Sequence, residues 1–454
     1  MKRVVFYTFL TLLSGCIQAQ HYIEGTIQGF ENSNVYLMRI TIDSQKTVDT
    51  AKCDRNGSFR FDIPGSMPDG MYRIISHRKM LDIIYHHENI SFIANGNNNN
   101  DRIQIIESIE NMLYYKYLFA KNDNQEKLSL LQPLLSQYPK SDTFYFVLKK
   151  QVEKLQNNIE NTAQEIIKNY PNTLAAHYIK ADKPPLFNLN LTPEEQRLDL
   201  KKHYFDNVDF ADTTLLNSNV LTSKIVGYLA LYHNPDMKKE ELENEFIKAI
   251  DTVLNKSMVY DKTYEYVLNY LVGGFESYGF EKVLQHLADY NRLDEMCENS
   301  EKKETLKNKL DIISKLATGK KAPGFSTVDI YGNKVVLDSI KSDYTLLLFW
   351  ASWCPHCTET LPGLKEYYDP LHKDKLQIVA VSIDENKDDV LKAIKTYGYN
   401  WINIAELKGW NGDIVKQYGV DGTPSFFVLD KNKKIIAKPA NQNQLKKVLE
   451  KITD

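Results

Sequence analysis

Leu346-Leu347-Leu348-Phe349-Trp350-Ala351-Ser352-Trp353-Cys354-Pro355-His356-Cys357 is the stretch on which the reading of this chain turns. From Tyr344 to Trp350 the residues are nearly all apolar, the pattern of a strand covered on both faces in a parallel sheet. Two cysteines follow at the mouth of a predicted helix. A cysteine at or near the first helical position lies against unpaired backbone N–H groups and the positive end of the helix dipole, which favours a Cys354 thiolate. The i, i+3 spacing puts Cys357 one turn below on the same face, within reach of a mixed disulfide formed at Cys354. Pro355 suits a first helical turn, where its missing N–H would be unpaired anyway. A protonated His356 would add positive charge beside the thiolate.

The competing reading of Cys-x-x-Cys is half of a zinc site, which needs two further soft or imidazole ligands. Cys16, Cys53 and Cys297 are solitary, and no histidine stands at a ligand spacing from them, so neither a metal nor a cofactor is expected. The expectation is redox chemistry, with Cys354 and Cys357 cycling between dithiol and disulfide.

The run from Trp350 to Cys357, with Pro362 beyond it and Gly422-Thr423-Pro424 later, resembles a thioredoxin-fold protein of the TlpA/ResA type. The likeness covers residues 319–454. It implies a thiol-disulfide oxidoreductase in which Cys354 attacks and Cys357 resolves. It also implies that Pro424 is a cis proline facing the cysteines, that Thr423 and Pro424 hold an extended substrate backbone, and that Trp353 shields the site.

Two positions depart from the family. Leu348 stands where thioredoxins carry a buried aspartate, and Thr360 stands where many TlpA/ResA-type proteins carry a glutamate. Glu359 is adjacent, but one residue is about 100° around a helix. Pro355-His356 matches the dipeptide of DsbA, a strong oxidant. Potentials in this fold run from about −270 to about −120 mV, roughly 7 kcal/mol for a two-electron couple. The resemblance favours a reductant or isomerase acting on cysteine-containing proteins of the envelope, with a membrane electron-transfer partner if it is a reductase. The alternatives are a DsbA-like oxidase, and a binding or scaffolding lipoprotein whose thiol pair is vestigial.

Around the cysteines the remaining fold signals agree with one α/β layer. Residues 377–383 read as a second buried strand, and Val390, Leu391, Ile394 and Tyr397 as a helix face. Phe426-Phe427-Val428-Leu429 and Ile435-Ile436-Ala437 flank a polar turn and predict an antiparallel hairpin. Leu445, Val448, Leu449 and Ile452 predict a closing amphipathic helix. Residues 301–316 read as a charged helix, and 317–324 as the linker into this module.

Upstream, residues 101–316 show helical periodicity. Leu148, Val152, Leu155, Ile159 and Ile166 form one stripe, Leu242, Phe246, Ile250 and Val253 a second, and Tyr264, Leu268 and Leu271 a third, all read as packing faces. Tyr138-Pro139 and Tyr170-Pro171 hint at helical hairpins, and His203-Tyr204-Phe205 reads as packing material. Residues 21–95 alternate in short runs and predict a β-sandwich, with Asn56-Gly57 as a hairpin cue. His86-His87-Glu88 reads as an edge or loop and not as a metal site. The polar run from Asn95 to Asp101 is the expected boundary. The fold class is thus multidomain: a β-sandwich, a central α-helical region and a C-terminal α/β thioredoxin-like fold.

Residues 1–15 carry Lys2 and Arg3, an apolar run over 4–13 and then small residues, the pattern of a secretory signal. Leu13-Ser14-Gly15-Cys16 resembles a bacterial lipobox, which implies lipidation of Cys16 and a lipoprotein on the membrane, facing the periplasm or the cell surface. Conventional cleavage after Ala19 is the alternative. The 454 residues include 43% hydrophobic residues and carry a net charge of −3 without blocks, which argues against nucleic acid as a partner. Five cysteines are too few for a disulfide scaffold, and a Cys53–Cys297 bond would have to bridge two domains.

Overall fold

The computed structural model describes residues 19–29, 31–76, 79–95, 103–296 and 300–453. Cys16 with the rest of the leader, and Cys297, lie outside the described residues. Two compact units emerge: residues up to 237 together with 248–270, and residues 238–247 together with 271 onward.

The first unit opens with eight strands among the described residues: β1 (Ala19–Gln28), β2 (Asn34–Thr41), β3 (Ser44–Lys52), β4 (Ser58–Pro64), β5 (Gly70–Ser76), β6 (Lys79–Tyr85), β7 (Ile90–Asn95) and β8 (Gln104–Glu107). They form two four-stranded sheets, ordered β4-β1-β7-β8 and β3-β2-β5-β6. Alternation along the strands turns one side of each sheet inward: Ile23, Phe59, Phe61 and Phe92 from one sheet share a core with Val35, Leu37, Tyr72 and Ile83 from the other.

The Asn56-Gly57 turn corrects the hairpin expectation, because β3 and β4 on its two sides belong to different sheets. Gly57 has φ +76 and presses on the β1 backbone, where a Cβ would lie 2.2 Å from the Ile27 carbonyl oxygen. The Ile27 N–H donates to the Gly57 carbonyl. Turn chemistry is therefore spent on crossing between layers. β8 pairs antiparallel with β7 from beyond the polar run after Asn95, so the sheet continues past that break.

Helices follow: α1 (Ile109–Gln137), α2 (Thr143–Asn169), α3 (Leu174–Asp182), α4 (Pro193–His203), α5 (Val220–Ala230), α6 (Lys239–Ser257), α7 (Asp261–Ser277), α8 (Glu281–Tyr290) and α9 (Glu301–Lys315). The Asp142 side chain accepts from the Phe144 N–H at the start of α2, whose stripe Leu148, Val152, Leu155, Ile159 and Ile166 is buried. α1 and α2 end at Tyr138 and Tyr170, each before a proline that disfavours helical backbone in the residue ahead of it. Among the described residues no helix is long and apolar enough to cross a membrane.

The second unit carries β9 (Ser326–Val328), β10 (Lys334–Val336), β11 (Tyr344–Trp350), α10 (Pro355–Tyr368), β12 (Leu376–Ser382), α11 (Lys387–Tyr397), β13 (Ile402–Ala405), α12 (Asp413–Gln417), β14 (Ser425–Asp430), β15 (Ile435–Ala437) and α13 (Gln442–Thr453). Its main sheet has the order β13-β12-β11-β14-β15. β11, β12 and β13 run parallel through the crossovers α10 and α11, whereas β14 and β15 run antiparallel. β11 is therefore central, and Leu346 through Phe349 are fully buried. Leu445 and Leu449 of α13 pack into the same core. This is a mixed-sheet thioredoxin-like fold, and its central strand delivers the chain to the cysteines.

Candidate active site

β11 ends at Trp350, and Cys354 stands as the N-cap of α10 with extended backbone (φ −81, ψ 118). Its carbonyl accepts from the N–H groups of Cys357 and Thr358, both at 3.1 Å, so the first turn is closed while its early N–H groups face the Cys354 sulfur. Cys354 is 5% exposed, and Cys357, one turn deeper, has no exposure at all. The Thr423–Pro424 peptide is cis, and the Thr423 carbonyl oxygen lies 3.3 Å from Cys354 Sγ, as acceptor for the thiol hydrogen.

The two thiols have opposite electrostatics. Burial opposes ionisation of Cys354. Hydrogen bonds to its sulfur from the Thr423 side chain, the Cys357 thiol and the backbone of Cys357 and His356 outweigh that penalty and hold it below the usual cysteine range. Thr423 thus acts both ways, its carbonyl favouring the thiol and its side chain the thiolate. Burial pushes the Cys357 thiol up to about 12, and the neighbouring Cys354 sulfur adds to the rise. Of the two, the outer sulfur is the one that ionises first as pH rises.

His356 contributes through its backbone. Its imidazole is 81% exposed, with Nδ1 4.0 Å from Glu359. Pro355 occupies the first helical position, and Trp353 is 59% exposed beside the cysteines. Leu348 is buried inside the sheet, and the Thr360 carbonyl accepts from Gln442. Neither position supplies a carboxylate.

The sequence reading passed over Asp384, just past the end of β12 and 2% exposed. One of its oxygens accepts from the Ser352 N–H (3.0 Å) and the Ser382 hydroxyl (2.6 Å), the other from the Ser352 hydroxyl (2.5 Å). It ties down the loop between β11 and α10. An acid at the carboxyl end of a strand parallel to β11 was the available signal. Tyr399 was missed as well: it meets Trp350 edge-on (5.4 Å) and stacks on Trp401 (4.6 Å), forming a buried aromatic wall.

Cys53, in the first unit, is a buried free thiol whose pKa burial raises. His86 and His87 sit in the turn after β6, where His86 Nδ1 meets Glu110 Oε1 at 2.9 Å. Among the described residues no group of three or more metal-ligating side chains comes together.

Comparison with known proteins agrees with this geometry. Residues 318–438 match the AhpC/TSA family model, while residues 21–114 and 148–281 each match a domain of unknown function, DUF4369 and DUF5106. The thiol-disulfide oxidoreductase ResA of Bacillus thuringiensis subsp. konkukian is 36% identical over 143 residues, which are 31% of this chain and 80% of the relative. The chain belongs to the ResA family of thiol-disulfide oxidoreductases. The Bacillus subtilis ResA is 26% identical over 121 residues, 27% of this chain and 66% of its own. Among solved structures, the thioredoxin domain of a thiol-disulfide oxidoreductase from Bacteroides vulgatus shares 31% identity over 31% of this chain and 99% of its own, with a TM-score of 0.29. A thioredoxin-like protein from Bacteroides caccae shares 23% identity over 59% of this chain and 96% of its own, with a TM-score of 0.44. The chain is thus a thioredoxin-like enzyme whose ResA-family portion is its C-terminal third, with cysteine-containing proteins as the general substrate class.

Proposed function

We propose that the chain works outside the cytoplasm as a reductant or isomerase, exchanging disulfides with cysteine-containing envelope proteins through Cys354 and Cys357. The observation that carries the exchange chemistry is the asymmetry of the pair, one sulfur at a helix N-terminus with a lowered pKa and one fully buried with a raised pKa, while the reductant or isomerase direction rests on the likeness to ResA proteins. The Cys354 thiolate attacks a substrate disulfide. A new S–S bond forms, the substrate bond breaks, and the departing substrate thiolate takes up a proton. Cys357 then gives up its proton and attacks Cys354 Sγ, releasing the second substrate thiol and leaving a Cys354–Cys357 disulfide. The substrate gains two electrons and two protons, which a membrane electron-transfer partner must resupply to a reductase; an isomerase returns them to the substrate. Thr423 and Pro424 flank the incoming chain, with Trp353 beside it.

Insulin reduction tests this reading: wild type is active and Cys354→Ser is inactive, and equal rates would refute it. The second reading, a DsbA-like oxidase, draws on the Pro355-His356 dipeptide and on the lowered Cys354 pKa, because a stabilised thiolate makes the disulfide more oxidising. Equilibration with glutathione separates the two by potential.

The leader 1–15 and the Leu13-Ser14-Gly15-Cys16 sequence support export and lipidation at Cys16, with the chain carried on the envelope as successive β-sandwich, helical and thioredoxin-like modules. More than one acyl chain on Cys16 would give a stable anchor, at about 0.8 kcal/mol per buried CH₂. Metabolic labelling with a radioactive fatty acid should mark the wild type and leave Cys16→Ser unlabelled.

A further inference from the structure

Lys224, on α5, is 4% exposed. Among the described residues the only hydrogen-bond acceptor for its ammonium is the Lys183 carbonyl, at 2.8 Å. The Tyr204 ring lies 4.7 Å away. Gly227, one turn along α5, makes room for that tyrosine, because a Cβ there would stand 2.2 Å from the Tyr204 hydroxyl.

Two more lysines converge on this place, and each already has a carboxylate. Lys121 meets Asp182 at 2.5 Å, and Lys183 meets Glu160 at 2.6 Å. Three ammonium groups against two carboxylates leave one positive charge unbalanced, and it falls on Lys224. Burial holds that lysine's pKa down to about 8, with Lys121 and Lys183 depressing it and Asp182 opposing them. It stays charged at neutral pH at a desolvation cost that an anion would relieve.

Lys224 also lines a cavity of about 280 Å³, together with Lys121 and Asp182. The rest of the wall is largely apolar, from Pro184, Pro185, Phe187, Leu200 and Leu231. We propose that this cavity binds a small monoanionic carboxylate, its head on the Lys224 ammonium and a short hydrocarbon tail against the proline and leucine wall. The single surplus charge selects a monoanion over a phosphate dianion. A free short-chain acid and the C-terminus of an apolar peptide offer the same chemistry.

Calorimetric titration of the full chain tests it with four probes: hexanoate, hexylamine, acetyl-Leu-Leu as the free acid, and the same peptide as the amide. At least one acid is expected to bind while the amine and the amide do not, and the acid that binds identifies the source. Lys224→Met is expected to weaken acid binding about tenfold or more, the loss of a charge-assisted hydrogen bond. Near pH 8 acid binding should take up protons, read from buffers of different ionisation enthalpy, because a bound carboxylate raises the Lys224 pKa. Failure of both acids to bind at millimolar concentration, equal binding of amine and acid, or unchanged affinity in Lys224→Met overturns the proposal. If Lys224→Met does not fold, the comparison of acid with amine in the wild type decides.

Discussion

Thr423 is the residue on which the reactivity of the pair balances, since its carbonyl receives the Cys354 thiol hydrogen and its side chain supports the thiolate. In iodoacetamide alkylation of reduced protein, Cys354 should react ahead of the buried Cys357 and Cys53, and its rate should climb with pH and level off below the ordinary cysteine value. Thr423→Val should move that midpoint upward, as expected for loss of one hydrogen bond to the charged form. Asp384 acts at the same scale without touching sulfur. Asp384→Ala leaves the Ser352 N–H and two serine hydroxyls without their acceptor, and denaturant unfolding should show a loss of about 1–3 kcal/mol, with slower insulin reduction as the loop loosens.

At the scale of elements, two close fits are open to test. Gly25 in β1 lies between Phe59 and Phe92 on the neighbouring strands, and a Cβ there would stand 2.6 Å from one ring and 2.9 Å from the other. Gly25→Ala should therefore destabilise the β-sandwich by about 1–3 kcal/mol, as overpacking does, with insulin reduction unchanged. In the β14–β15 turn Lys433 is 2% exposed, and its ammonium donates to the Thr345 hydroxyl at 2.9 Å. Thr345→Val should cost about 1–3 kcal/mol, while Lys433→Met should be near neutral or stabilising, since removing the charge also removes its desolvation. Denaturant midpoints of the two variants check the sign.

Much at this scale was legible in the sequence. An unbroken apolar run running into Cys-x-x-Cys announced β11 and α10, and the polar turn between Phe426-Phe427-Val428-Leu429 and Ile435-Ile436-Ala437 announced β14 and β15. Local periodicity gave no sign of contacts between distant segments. Ser352 meets Asp384 across 32 positions, Lys433 meets Thr345 across 88, and Gly57 serves as a crossing between sheets because the Ile27 backbone lies against it. A turn dipeptide specifies backbone angles, but not which strand will be the neighbour.

At the scale of the molecule, each unit has a core of its own, one around the inward faces of the two N-terminal sheets and one around β11. Differential scanning calorimetry should resolve more than one transition, and reducing the Cys354–Cys357 bond should shift only the transition that belongs to the second unit. The central position of β11 has a further consequence. With hydrogen-bonded strands on both flanks and no exposed side chain from Leu346 to Phe349, it is a stiff mount that cannot carry Cys354 outward to meet a partner. The partner must bring its own sulfur to a recessed atom, so a cystine enclosed in a finished native core stays beyond reach. A cystine on an exposed or slack segment meets that demand, whatever the rest of its chain is doing.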